Sequence, residues 1–228
     1  MEWIHNYQLF LFDFDGLLVN TEELHFAAYI EMCRARGFAL PWNFTEFCLA
    51  AHYEYTGLRD GIYKAFPDLL EQEPNWDVLY KEKKKAYSQI LKENRLHLLS
   101  GVEELLLALE RAGIRRAVAT NSVLEQVEEI KKTLPVLQTI PVWITREAYT
   151  HPKPAPDAYL VALGQLAQPG DAIIGFEDTV RGVKSLQGAE VPPVLICPDA
   201  HPQLQDASLR DVPVFNSFEE IPASAGPY

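Results

Sequence analysis

Cysteine is scarce in this chain of 228 residues: only Cys33, Cys48 and Cys197, odd in number and widely spaced. Such a set makes neither a metal-ligand pattern nor a disulfide framework, and it points to a reducing, cytoplasmic compartment. No apolar run approaches the length of a membrane span, and the charge at Asp13 comes too early for a cleavable secretion signal. No membrane partner is therefore expected. Basic residues are outnumbered, 20 Lys and Arg against 32 Asp and Glu, and the net charge of −12 argues against a sequence-independent nucleic-acid binder. The one basic cluster, "KEKKK" from Lys81 to Lys85, reads as the solvated face of a helix. No Gly-x-Gly-x-x-Gly follows a strand, which excludes the dinucleotide-cofactor readings. Repeats, low-complexity tracts and a clear self-association surface are also missing, so a monomer is expected.

What is present is a globular composition, 48% apolar, in a chain long enough for one large domain or a core with an insertion. Near its start stands "LFLFDFDGLLVNTEELH", residues 9 to 25. Leu9 to Phe12 has the character of a parallel strand buried on both faces. Asp13 and Asp15 follow at once, and residues spaced i and i+2 leave a strand on one face, roughly 6–7 Å apart. Two carboxylates so placed repel unless a cation or a proton compensates. Gly16 then allows a tight turn.

Further on, the pattern predicts a helix over 22–36 closed by Gly37, then an irregular helical stretch without strands to about residue 92. From residue 95 short apolar strands alternate with helices. Strands are predicted at 117–120, 142–144, 172–176 and 194–196, with helices from Ser100, from Ser122, over 157–163 and after Thr179. Ser100 with Glu103, and Ser122 with Glu125, read as capping boxes. The alternation is the βαβ signature of an α/β fold with a mostly parallel sheet. The helical insertion after the first strand becomes a candidate second domain, at the carboxyl end where open α/β sheets hold ligands.

Four polar groups lie just past the strands or in the loops between them: Asp13 and Asp15; Thr120, Asn121 and Ser122; Lys153 in "HPKPAPD"; and Glu177 with Asp178. Parallel, adjacent strands would bring all four to one edge. The set suits phosphoryl transfer. A carboxylate can attack phosphorus and hold an acyl phosphate, and a second acid can protonate the leaving alkoxide and later deprotonate water. Several carboxylates offer the hard oxygen ligands that Mg²⁺ prefers. A hydroxyl and a lysine can hold the nonbridging oxygens.

On these residues the chain resembles the haloacid-dehalogenase-like hydrolase superfamily. "FDFDGLLVNTE" (12–22), "VATNS" (118–122), "KPAPDAY" (153–159) and "IGFEDT" (174–179) look like its four motifs, in order. Within it, the insertion and "TGLRDGI" (56–62) are similar to the cap of the β-phosphoglucomutase-like, CbbY-like phosphatases. The resemblance implies a Rossmannoid parallel-sheet core, 1–18 and 93–228, with a small all-helical cap, 19–92. It implies a Mg²⁺-dependent attack by Asp13, with Asp15 as general acid and then base, and Thr120 and Lys153 on the transferring phosphate. Asp178 and Glu177 would complete the metal shell with Asp13 and the main-chain carbonyl of Asp15. Gly16 and Asn121 would lie beside the phosphate, and Glu22, His25 and Arg59 would face the substrate from the cap. The chain departs from the family's pattern in carrying Glu190 where a glycine is usual, which implies a different turn into the next strand. It also lacks the usual Phe-Asp in the 133–151 region.

The expected function is hydrolysis of a phosphomonoester of a small soluble metabolite, a sugar phosphate or related compound. A phosphosugar mutase is the alternative in chemistry; the resembled mutases carry a basic residue near the place of Val123, and its absence favours water as acceptor. Dehalogenases of the superfamily lack the second aspartate, present here as Asp15. Phosphonate cleavage through a cap lysine imine would need a lysine other than the solvent-facing ones expected at 81–85. A binding protein that had lost its chemistry would have lost Asp13, Asp15, Lys153 or Asp178, and all four remain.

Overall fold

In the computed structural model, which describes residues 1–53, 56–93, 96–199 and 201–222, the run Leu9–Phe12 forms β1 and is buried along its whole length. Five more strands join it: β2 (Arg115–Ala119), β3 (Val142–Ile144), β4 (Ile173–Glu177), β5 (Pro193–Ile196) and β6 (Val214–Phe215). All pairs are parallel and the order is β3-β2-β1-β4-β5-β6. The two-residue β6 has no counterpart in the sequence pattern; it is too short and too half-buried to show a period. Side chains on both faces of β1 are covered. Leu9 and Leu11 join Ala117, Ala119, Tyr159 and Leu186 on one face, while Phe10 and Phe12 stack on Phe176 with ring centres 6.1 and 5.5 Å apart.

The helices are α1 (Thr21–Ala35), α2 (Phe44–Tyr53), α3 (Gly57–Ala65), α4 (Pro67–Gln72), α5 (Trp76–Leu91), α6 (Val102–Arg111), α7 (Leu124–Thr133), α8 (Asp157–Leu166) and α9 (Val180–Gly188). No helix among the described residues is long and apolar enough to cross a membrane. The chain divides into two compact units, Met1–Asn20 with His97–Tyr228, and Thr21–Leu96. The first holds the sheet. Where the chain leaves and re-enters this unit, Asn20 N–H donates to the His97 carbonyl at 3.2 Å and Leu99 N–H to that of Leu18 at 3.1 Å. His97 N–H bonds the Asn20 side chain at 2.9 Å, so the two ends run antiparallel, side by side.

The second unit is helical. Its core includes Tyr29, Met32, Cys33, Phe47, Ile62 and Leu79, and Arg36 on the loop after α1 grips Glu82 of α5 with two bonds, 2.9 and 2.6 Å. Lys81, Lys84 and Lys85 are exposed as expected, but Lys83 is buried, a correction to the solvated-face reading. Its ammonium lies 2.6 Å from His25 Nδ1 and 5.1, 5.9 and 5.0 Å from the ring centres of Tyr29, Tyr80 and Tyr87. The i+4 spacing that puts Lys83 beside Tyr87 and Leu79 places it on the apolar side of α5. The tyrosine faces offer a cation–π contact to the ammonium.

The starts of α8 and α9 and the glycine-marked ends of α1 and α6 fall where the sequence puts them, whereas α8 runs on to Leu166. Gly37 and Gly113 close α1 and α6 at φ of 89° and 66°. Neither predicted capping box forms. Gly101, at φ 80°, precedes α6 with no side-chain cap bond, because a side chain there would meet the backbone of Glu219. The start of α7 is capped from outside, both carboxylate oxygens of Glu147 lying 3.2 Å from Leu124 N. Glu190 follows α9 in the left-handed region, φ 59°, the one non-glycine residue among those described to do so. Its N–H donates to Gln187 and that of Val191 to Leu186, each at 3.0 Å. These are the paired bonds of a Schellman ending, whose left-handed position usually falls to glycine. The departure at Glu190 is thus accommodated by local backbone strain within a standard turn.

Two stability predictions follow from this geometry. Glu190→Gly relieves a left-handed side-chain residue and should stabilise the protein by about 1 kcal/mol, read as a rise in the urea midpoint. Asp171 is held by Arg115 Nη2 at 2.6 Å and by Gln168 N–H at 2.6 Å, and the Arg115 bond first, the backbone bond second, hold its carboxyl below the ordinary value. A carboxyl depressed on folding stabilises above its unfolded pKa, and the contribution is lost as pH falls through the folded value. Urea midpoints measured from pH 6 downward should fall less steeply in Asp171→Asn than in the wild type below about pH 4.

Candidate active site

The register of the sheet decides which groups meet. Phe12 lies opposite Val118 on β2 and Phe176 on β4. The chain order changes sides at β1, with β2 and β3 on one flank and β4 on the other. That is the switch point where open parallel sheets leave a crevice. Asp13 N–H donates to the Phe176 carbonyl and Thr120 N–H to that of Ile144, each at 3.0 Å, so both residues extend the ladder at the carboxyl edge. Gly16 turns the chain at φ 81° and donates to the Val19 carbonyl at 2.9 Å, returning Asp15 toward Thr120.

Lys153 stands at the centre, 6% exposed. Its ammonium donates to Asp13 Oδ1 at 2.5 Å, to Glu177 Oε1 at 2.6 Å and to the Tyr159 hydroxyl at 3.0 Å. Burial pulls the lysine toward its neutral form, but Asp13 and Glu177 outweigh it and the net shift is upward. It is an ammonium at any working pH. Glu177, 1% exposed, is pushed up by burial, with Lys153 opposing and Asp13 adding. The Tyr159 hydroxyl donates to the same Glu177 Oε1 at 2.5 Å, and burial first, then Glu177, raises that phenol well above its ordinary value.

Asp15 is held differently. Its Oδ2 accepts from Ser122 Oγ at 2.5 Å and Thr120 Oγ1 at 3.2 Å. Ser122 is therefore a site residue, which the capping-box reading had explained away. Asn121 Oδ1 accepts from the Tyr149 hydroxyl at 2.8 Å and from Lys153 N–H at 3.3 Å. Of the two partners the backbone N–H can only donate, so the amide oxygen is the atom turned toward Lys153. Tyr149 also reaches the Thr120 carbonyl at 2.7 Å, and burial pushes its phenol up to about 12. This tyrosine comes from the 133–151 region that departs from the resembled pattern.

One carboxylate oxygen from each of Asp13, Glu177 and Asp178 lies within 4.8 Å of the others. An all-oxygen, anionic donor set fits a hard divalent cation. The carboxylate of Asp15 lies outside this trio; the resemblance gives Asp15 to the metal through its main-chain carbonyl only. Asp178 is positioned by Gln203, 1% exposed, whose amide donates to the Asp178 carbonyl at 2.7 Å and accepts from Val180 N–H at 3.1 Å. Sequence reasoning missed Gln203, Tyr149 and Tyr159. Only the last lay within a recognised motif, at a position that reads equally well as core.

Asp13, Asp15, Gly16, Thr120, Asn121, Lys153, Glu177 and Asp178 thus gather in the sheet unit. Glu22, His25 and Arg59 belong to the helical unit. There Arg59 bonds its neighbour Asp60 at 2.8 Å, and His25 stacks on Tyr87 with ring centres 4.2 Å apart. Burial first, then Lys83, lower the His25 pKa to about 3, so the imidazole is neutral and accepts at Nδ1.

The family profile described as haloacid dehalogenase-like hydrolase matches residues 10–196. The chain belongs to this family and is a hydrolase of its kind. Protein CbbY of Cereibacter sphaeroides is 29% identical over 225 residues, 95% of this chain and 94% of that protein. A phosphorylated carbohydrates phosphatase of Thermotoga maritima is 30% identical over 190 residues, covering 79% and 81%. The crystal structure of CbbY from Rhodobacter sphaeroides with xylulose-(1,5)bisphosphate aligns with a TM-score of 0.72 at 23% identity, covering 94% of this chain and 96% of that one, and supports the fold.

Gly182 on α9 provides a test of the packing around Glu177. A β-carbon added there would lie 1.9 Å from the Glu177 carboxylate. Gly182→Ala should cost about 1–3 kcal/mol in thermal unfolding, as overpacking does. An unchanged midpoint would mean that Glu177 is not held where it is described.

Proposed function

We propose that the protein is a Mg²⁺-dependent phosphomonoesterase that cleaves a small phosphorylated metabolite, a sugar phosphate or close kin, through a phospho-aspartate at Asp13. The observation that carries this is the pairing at the edge of the sheet. Asp13 belongs to an acidic trio and accepts from a buried ammonium, while Asp15, two residues on, accepts from the hydroxyls of Thr120 and Ser122. Two like carboxylates in unlike surroundings can take unlike roles, nucleophile and proton carrier.

An oxygen of Asp13 attacks phosphorus in line with the ester oxygen, and Asp15, in its protonated form, gives that oxygen its proton as the bond breaks. Lys153, the Thr120 hydroxyl and the Asn121 amide hold the nonbridging oxygens and oppose the charge that accumulates there. Asp15, now ionised, takes a proton from water, which attacks the phospho-aspartate and restores Asp13. Asp13, Asp178 and Glu177 would hold Mg²⁺, which when bound would supply positive charge to oppose that of the phosphoryl group. The helical unit, inserted directly after the loop that carries both aspartates, acts as the cap, with Glu22, His25 and Arg59 selecting the leaving group. The names of the relatives, one a phosphatase of phosphorylated carbohydrates, support a sugar phosphate. Val123, exposed and apolar beside Ser122, supports water over a second phosphosugar as acceptor.

The test is phosphate release from a panel of phosphorylated metabolites. The wild type should release phosphate with Mg²⁺, stop on chelation and recover when the ion returns. Asp13→Asn should lose at least about 10³-fold in turnover, the scale of losing a covalent nucleophile. Asp15→Asn should lose about 10²–10⁴-fold, as general acid–base partners do. Full activity of Asp13→Asn would overturn the assignment.

A further inference from the structure

Lys153 has three ammonium protons and, in this structure, three acceptors: Asp13 Oδ1, Glu177 Oε1 and the Tyr159 hydroxyl. Asp13 is the nucleophile of the reading above. The other two contacts are linked, because Tyr159 donates its own proton to the Glu177 oxygen that Lys153 already holds. The hydroxyl therefore accepts from lysine and donates to glutamate, closing a three-membered ring of hydrogen bonds. The ring of Tyr159 also lies under the ammonium, 4.6 Å from its centre, and its side chain is locked in the core with Leu9, Ala117 and Leu186.

We propose that Tyr159 is a positioning residue for the phosphoryl-transfer step: its hydroxyl and Glu177 each hold one proton of Lys153, so that the third passes from Asp13 to a nonbridging phosphate oxygen. The proposal rests on the phosphatase reading above. A lysine is a point charge on a flexible stem, and a buried one aimed at Asp13 by attraction alone would follow that carboxylate through each change of charge. With Tyr159 and Glu177 fixed behind it, the ammonium keeps its place when Asp13 becomes esterified and loses its charge. Tyr159→Phe separates the hydroxyl from the ring: it keeps the cation–π contact and the packing and removes one acceptor and one donor. Tyr159→Leu removes both.

Turnover of p-nitrophenyl phosphate with Mg²⁺ should fall about 10-fold in Tyr159→Phe, the scale of one hydrogen bond to a charged group, with KM within about twofold. Tyr159→Leu should fall further. A residue that only fills the core would lower the melting temperature and leave kcat unchanged well below it, and that result overturns the proposal. The second readout needs no turnover. In proton–nitrogen spectra of lysine ammonium groups, the wild type should show a slowly exchanging signal that is absent from Lys153→Arg, exchanging at least about 10-fold faster in Tyr159→Phe, again the scale of one hydrogen bond to a charged group. Lack of that signal in the wild type, or the same exchange rate in Tyr159→Phe, overturns the proposal even if the Phe variant folds poorly. If the wild type releases no phosphate from any substrate while the ammonium signal behaves as described, the phosphatase reading fails and the hold of Tyr159 on Lys153 stands.

Discussion

The contact between one buried ammonium and two carboxylates is the constraint around which the site is built. Asp13 and Glu177 end neighbouring strands of a parallel sheet, and nothing in the backbone would keep two like charges there. Lys153 makes the arrangement possible, and it can do so because it reaches in from the loop before α8 rather than from a strand. Glu177 in turn is tolerated at 1% exposure because one of its oxygens has two donors and because Gly182 leaves room for its carboxylate. Remove any of these and a buried charge loses its partner, which costs far more than the pair contributes when intact.

The two aspartates of the first motif show how environment divides labour between identical groups. Asp13 lies among charges, with Lys153 bonded to it and Glu177 and Asp178 nearby. Asp15 meets neutral hydroxyls from the loop after β2. That loop is itself held by Tyr149 and by the bond from Lys153 N–H to Asn121, so polar groups of two different connections are tied to each other directly. Preorganisation of this kind is what lets polar groups oppose developing charge without first having to turn.

Much of the fold was legible because a parallel sheet covered on both faces writes itself as short, unbroken apolar runs, and β1 to β5 were visible on that ground, β2 without its two leading arginines. Glycines at 37 and 113 marked helix ends through a local backbone requirement. The starts of α6 and α7 were not legible in the same way. Ser122 stood in a pattern with two local meanings, and only its partner, Asp15, more than a hundred residues earlier, decides between them. The cap of α7 comes from Glu147, which no local pattern announces. The charged members of the site were readable because carboxylates at strand ends and a lysine between two prolines call for an explanation. Tyr149, Tyr159 and Gln203 were not, because a buried tyrosine or glutamine is ordinary until its hydrogen bonds are seen. Lys83 failed for the opposite reason: its charged neighbours suggested solvent, while its place on α5 put it among tyrosines.

The paired ends at residues 18–20 and 97–99 bear on how such a protein can change over generations. Because the chain exits and re-enters the sheet unit through its own short antiparallel ladder, the closure of the intervening stretch is secured by the core alone. The entropic penalty of altering a segment between fixed, adjacent ends grows only slowly with its length. Everything between Thr21 and Leu96 is therefore a cassette, open to lengthening, shortening or wholesale exchange, while the strand ends that carry the chemistry keep their register. Two stretches of one gene product can thus vary independently, and a few hydrogen bonds at the neck keep them separate.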